Sequence, residues 1–241
     1  MIKCLVIEEQ YRLGGFSMAY QSELIVMLTY NDETIPQAHD VFLQCQSSKA
    51  NYWGMKELPL PIEEMKALYR LMKECGKTTV LEVVAYTEEE GLKGAALAVK
   101  CDVDILMGTI YSDAINDYCK QHGLKYMPFV GTIAGRPSVL EGCLSEMVAE
   151  AERYLAKGVF GIDLLGYRYV GDAVALNKAF VDAIDAPVCL AGSIDSVQRL
   201  EEVRDAAPWA FTIGSAFFDQ KFSGIICEQI DFVCDFMRGG A

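Results

Sequence analysis

Two short runs near the C-terminal end decide the reading of this chain: Leu190-Ala-Gly-Ser-Ile194 and Phe211-Thr-Ile-Gly-Ser-Ala-Phe217. Each is a strand-like apolar stretch that stops at a glycine and passes at once to a serine. About twenty residues lie between them, room for one helix and a tight return. Glycine lets the backbone approach a ligand closely, and free N–H groups at the start of a following helix favour an anion. Gly192, Ser193, Gly214 and Ser215 are therefore expected to aim two pieces of backbone and two hydroxyls at one anionic group.

Outward from these runs, strand-like and helix-like patterns alternate along the chain. Candidate strands cover residues 24–30, 41–46, 79–86, 103–108, 126–131, 159–165, 187–191 and 210–214. Most are almost continuously apolar, as parallel strands buried on both faces are. Amphipathic segments separate them: Ile62, Met65, Leu68, Tyr69 and Met72 share one helical face, Thr87 caps an acidic first turn, and residues 138–157 read as a long helix stopped by Gly158. The pattern predicts an α/β protein, a single (β/α)8 TIM barrel over residues 23–241, with residues 1–22 as an N-terminal extension packed on it. Residues 31–39 are too few for a full helix, so the first α unit is expected to be reduced. Residues 47–61 read as a long loop on the face where barrels carry their sites. In such a barrel the loops after strands 7 and 8 hold phosphate, which makes the expected ligand a small phosphorylated metabolite.

Composition narrows the classes. The chain has 241 residues, 52% of them hydrophobic and 23% charged, in the range of one globular domain with a large core. A net charge of −13 argues against nucleic acid or anionic membrane as partners, since both need basic patches. The nine cysteines are scattered without a C-x-x-C spacing, so the expectation is reduced thiols serving as small hydrophobes in a cytoplasmic protein. The apolar run at residues 2–7 is too short for a signal peptide, and no stretch reaches the length of a membrane span.

Candidate chemistry comes from polar residues in apolar strands. Glu82 lies among Val80, Leu81, Val83 and Val84, and Asp163 lies in Gly161-Ile-Asp-Leu-Leu165. Burial against the helices would be costly for a carboxylate, so both should point into the barrel as acid and base, or as paired structural acids. Lys49 and Lys56 after strand two, Arg136 after strand five and Arg168 in Gly166-Tyr-Arg-Tyr-Val-Gly171 are cations expected on the same face, of which Lys56 and Arg168 are taken as catalytic. Asn31, Gln44, Gly131 and Thr132 are expected to bind the rest of the substrate. His39 and His122 fall away from that face, so the expectation is no cofactor and no metal, or Mg2+ shared by the two carboxylates.

The pair Ala191-Gly-Ser-Ile194 and Ile213-Gly-Ser-Ala216 resembles the signature of the ribulose-phosphate-binding barrels, which include sugar-phosphate epimerases and decarboxylases. The resemblance implies phosphate at the two Gly-Ser turns. It implies no particular reaction, because the metal-binding histidines of the pentulose epimerases and the Asp-x-Lys-x-x-Asp run of the decarboxylases are missing here. Two carboxylates and a few cations suit isomerisation or epimerisation through an enediolate. The alternatives are an aldolase or decarboxylase using the same parts, or a non-catalytic phosphate-metabolite binder. A homo-oligomer is compatible with all of them.

Overall fold

The computed structural model describes residues 22–135 and 137–239. Residues 1–21 of the expected N-terminal extension (residues 1–22), and Arg136, lie outside the described residues. Eight parallel strands form the barrel: β1 Glu23–Met27, β2 Tyr52–Lys56, β3 Thr78–Ala85, β4 Ile105–Thr109, β5 Lys125–Met127, β6 Ile162–Leu164, β7 Val188–Leu190 and β8 Ala210–Ile213. They run in the order β6-β7-β8-β1-β2-β3-β4-β5. The ring closes between β5 and β6, where Phe129 bridges Asp163 and the Asp163 N–H donates to the Pro128 carbonyl at 3.0 Å. The helices outside are α1 Ala38–Cys45, α2 Ile62–Glu74, α3 Glu88–Lys100, α4 Asp113–Gln121, α5 Leu144–Ala156, α6 Ala173–Ala183, α7 Val197–Ala206, a single turn α8 Ser215–Phe218, and α9 Ile226–Met237.

Alternation along each strand divides the core in two. Trp53 and Met55, Leu81 and Val83, Ile162 and Leu164 face the helices in the larger apolar cluster. Ile25, Met27, Val80, Ile105, Met107, Met127, Cys189 and Ala210 fill the barrel interior, with Tyr52, Phe160 and Trp209 packed against them. The Trp209 ring meets both Tyr52 and Phe160 edge-on. By the same period of two, Lys56 shares the inner face with Tyr52, Glu82 with Val80, and Asp163 pairs with the inward Cys189. The interior is thus apolar below and polar at its C-terminal end.

The second strand is not where the sequence pattern puts it. Residues 41–46 belong to α1, where Ala38, Phe42 and Cys45 form a helical stripe that is buried while Leu43 and Gln44 are exposed. The true second strand, Tyr52–Lys56, lies inside the segment read as a loop. A short run such as Val-Phe-Leu-Gln-Cys-Gln satisfies both periods, and only its packing against the barrel decides. The first α unit is indeed short, eight residues against thirteen for α2 and α3, but it follows a hairpin rather than replacing it. Similarly, α5 starts at Leu144, because Val139–Glu141 pairs antiparallel with Thr132–Ala134.

Cysteine usage also differs from the expectation of nine reduced thiols. Cys45 on α1 and Cys227 on α9 form a disulfide across 182 residues of sequence. The barrel makes the first and last helices neighbours, which no spacing along the chain reveals. Cys101, Cys119, Cys189 and Cys234 are buried thiols. Among the described residues no helix is long and apolar enough to cross a membrane.

Candidate active site

At the C-terminal end of the strands, a cleft is lined by Lys56, Glu82, Arg168, Gly192, Ser193, Gly214 and Ser215, together with Thr29, Asp32 and Ser138. Seven of the eight residues expected to be catalytic or phosphate-binding, all but Asp163, come from different parts of the chain to line it. Their convergence follows from parallel strands whose ends share one face.

Lys56 closes β2 and is 7% exposed. Its ammonium lies 2.9 Å from Asp32 Oδ1 and 3.7 Å from Glu82 Oε1. Burial alone would lower the Lys56 pKa, but the facing Glu82 carboxylate and the hydrogen bond to Asp32 outweigh it and raise it above the usual lysine value. Lys56 is therefore a fixed cation. Its backbone is pinned as well: the Lys56 N–H donates to Thr34 Oγ1 at 2.9 Å, and that hydroxyl donates to the Lys56 carbonyl at 2.8 Å.

Asp163 is fully buried and does not line the cleft; it lies among the interior side chains beside Cys189. Burial and then the charge of Glu82 push its pKa well above the ordinary carboxylate value, against weaker opposition from Lys56 and the Gly108 backbone. Neither carboxyl oxygen has a hydrogen-bond partner. A neutral acid is the state such surroundings permit. At this end of the barrel Lys56 then faces Glu82 and Asp32.

The two Gly-Ser turns line the same cleft. Gly192 adopts φ +92°, and a Cβ there would stand 2.7 Å from Arg168 Cγ, so only glycine lets the turn and the arginine stem touch. Ser193 follows with φ +40°, a left-handed conformation that is costly for serine and typical of functional loops. Arg168 sits in the 3₁₀ turn Gly166–Arg168 after β6, and its buried Nε has no hydrogen-bond partner. Ser215 begins α8, and its Oγ accepts a hydrogen bond from the Asn31 N–H at 3.2 Å. A Cβ on Gly214 would collide with Thr29 Oγ1 at 2.5 Å.

The remaining expected binders are elsewhere. Gln44, expected on the second strand as a substrate binder, is exposed on α1, on the outside of the barrel. The Gly131 N–H is taken by Glu150 Oε2 at 2.8 Å, and Thr132 is an exposed hairpin residue; neither lines the cleft. Lys49 instead pairs with Asp235 on α9. Asn31 contributes its backbone rather than its amide. Thr29, Asp32 and Ser138 come from two hairpins, and the first carried a signal: Asn-Asp between Thr29-Tyr30 and Glu33-Thr34 is a two-residue hairpin turn. Ser138 is held by Tyr86, whose hydroxyl lies 2.6 Å from Ser138 Oγ. Among the described residues no group of three or more His, Cys, Asp or Glu side chains could hold a metal ion.

No protein-family model and no curated protein sequence matches the chain. Solved structures do match its fold. Orotidine 5′-phosphate decarboxylase from Pyrococcus horikoshii overlays with a TM-score of 0.67 at 14% identity, over 90% of this chain and 99% of that one. N-acetylmannosamine-6-phosphate 2-epimerase from Clostridium perfringens gives 0.60 at 15%, over 80% and 86%. N-(5′-phosphoribosyl)anthranilate isomerase from Pyrococcus furiosus gives 0.59 at 10%, over 89% and 99%. These are ribulose-phosphate-binding barrels, and this chain shares their fold.

Proposed function

We propose that the protein is an enzyme that moves a proton beside the carbonyl of a small phosphorylated sugar or related metabolite, an isomerase or epimerase. The observation that carries this reading is that the Lys56–Glu82 pair and the two Gly-Ser turns line one cleft. An anion held by the backbone of Gly192 and Gly214, the hydroxyls of Ser193 and Ser215, and Arg168 would place the carbon skeleton over Lys56 and Glu82. Glu82 takes the proton next to the carbonyl. The Lys56 ammonium stabilises the enediolate oxygen, because its charged state is the one its neighbours favour, and the Glu82 carboxyl returns its proton to the adjacent carbon and is a carboxylate again. Asp163, kept neutral beneath them, leaves the Lys56 charge to the two carboxylates that touch it. The named fold neighbours act on phosphate esters, which agrees with an anchored phosphate. A charged lysine is a poor Schiff-base nucleophile, which favours proton transfer over an imine-forming aldol cleavage.

The test is exchange of substrate protons in deuterated water. A panel of aldose and ketose phosphates, from three to six carbons, is incubated with the protein and followed by proton NMR. Deuterium should enter at the carbon beside the carbonyl for at least one of them, and Glu82→Gln should abolish it. Exchange that survives Glu82→Gln, or none across the panel, overturns the reading.

A further inference from the structure

The Thr29–Tyr30/Glu33–Thr34 hairpin is tied to both ends of the cleft by neighbouring residues. Its turn is Asn31-Asp32, with φ +50° and +66°, the left-handed pair of a type I′ turn. The Asn31 N–H donates to Ser215 Oγ on the anion side. Asp32, the next residue, accepts from Lys56 Nζ at 2.9 Å. Two residues further, the Thr34 hydroxyl bonds both backbone groups of Lys56, and the Thr34 N–H donates to the Leu58 carbonyl at 2.9 Å. At the other corner the Tyr30 ring meets Phe218 of α8 edge-on, with 6.2 Å between centroids. Residues this close in a two-residue turn cannot shift independently.

We propose that Asn31 and Thr34 are positioning residues through which occupancy of the anion turn fixes the placement of Lys56. The Ser215 hydroxyl accepts from the Asn31 N–H, so its own proton is directed at the ligand. An anion accepting that proton polarises the oxygen and strengthens the bond from Asn31. The restraint passes along the turn to Asp32 and through Thr34 to the Lys56 backbone. By linkage, ordering of Lys56 favours the anion in return. This inference rests on the reading of the Gly-Ser turns as the anion site.

The experiment is amide hydrogen exchange of the full chain, by NMR, with and without inorganic phosphate. Phosphate should slow exchange at Asn31, Thr34 and Lys56 by about fivefold or more in the parent protein. Thr34→Val should keep phosphate affinity within about twofold but lose the phosphate-dependent slowing at Lys56, and Thr34→Ser should restore it. If phosphate binds, and Ser215→Ala weakens it, yet exchange at Asn31 and Lys56 is unchanged, the coupling is wrong and the anion site stands. Retention of the Lys56 effect in Thr34→Val also overturns the role of Thr34. If phosphate does not bind, or binds equally to Ser215→Ala, the anion site itself is wrong and the coupling falls with it.

Discussion

Lys56 and Glu82 stand opposite each other in the register of β2 and β3, with 3.7 Å between ammonium nitrogen and carboxylate oxygen. Adjacent parallel strands hold side chains at one level on the same face, so the pair is set by the barrel itself rather than by a loop. Sites built on strands are held more tightly than sites on loops, and this pair is the rigid part of the cleft.

Removing the Lys56 charge should therefore cost catalysis without abolishing the anion site. Lys56→Met is expected to lower proton exchange on an active sugar phosphate by roughly 10²–10⁴-fold. Inorganic phosphate affinity, measured by calorimetry, should change far less. An equal loss in both would make Lys56 part of the anion grip.

Asp163 predicts a specific pH dependence of stability. A carboxyl with a raised pKa in the folded state binds its proton more tightly there than in the unfolded chain. Its contribution is fully present below the unfolded carboxylate pKa of about 4 and is lost as pH rises through the folded value. Asp163→Asn, which keeps the neutral form, should raise Tm at pH 8 and flatten the decline above pH 4. An unchanged or lowered Tm at pH 8 would show that Asp163 carries a paired negative charge.

Gly192→Ala should act on the anion site through Arg168. The added Cβ would stand 2.7 Å from Arg168 Cγ at a backbone φ of +92°. Both the arginine stem and the turn must move, and phosphate affinity should fall by about tenfold or more. Titration calorimetry with inorganic phosphate measures it directly.

The Cys45–Cys227 disulfide joins the first helix to the last across 182 residues. In the chain-entropy model a loop of that length contributes about 5 kcal/mol, an upper figure. Cys227→Ser, or treatment with dithiothreitol, should lower the denaturation midpoint, while Lys49, in the segment after α1, still pairs with Asp235 on α9. A thermal scan with and without reductant checks it.

Chelation should leave activity unchanged. Asp32 and Glu82 both face the Lys56 ammonium, which occupies the place a divalent ion would take between them. Activity lost in EDTA and restored by Mg2+ would contradict this.

Much of this was legible in local pattern. Continuous apolar runs marked seven of the eight strands at about the right places, because parallel strands buried on both sides need that composition wherever they occur. Glycine followed by serine at two strand ends marked turns that line the cleft, because φ +92° at Gly192 and the contact of Gly214 with Thr29 admit no side chain. An acid inside an apolar strand marked Glu82 and Asp163 as inward. Residues 41–46 fit strand and helix periods equally, and by sequence alone Tyr-Trp-Gly-Met-Lys falls in the 47–61 loop, with Lys56 a loop residue. Only the closed sheet could decide that, since a strand of five residues is defined by its neighbours on either side. The tertiary structure alone also put Asp163 below the cleft, Gln44 outside the barrel, and Cys45 against Cys227. Sequence by itself determined which residues favour strand, turn and interior, since those are local costs of burial and backbone conformation. Which residues meet was decided by the ring of strands, because contacts such as Asn31 with Ser215 span 184 positions and exist only once the barrel closes.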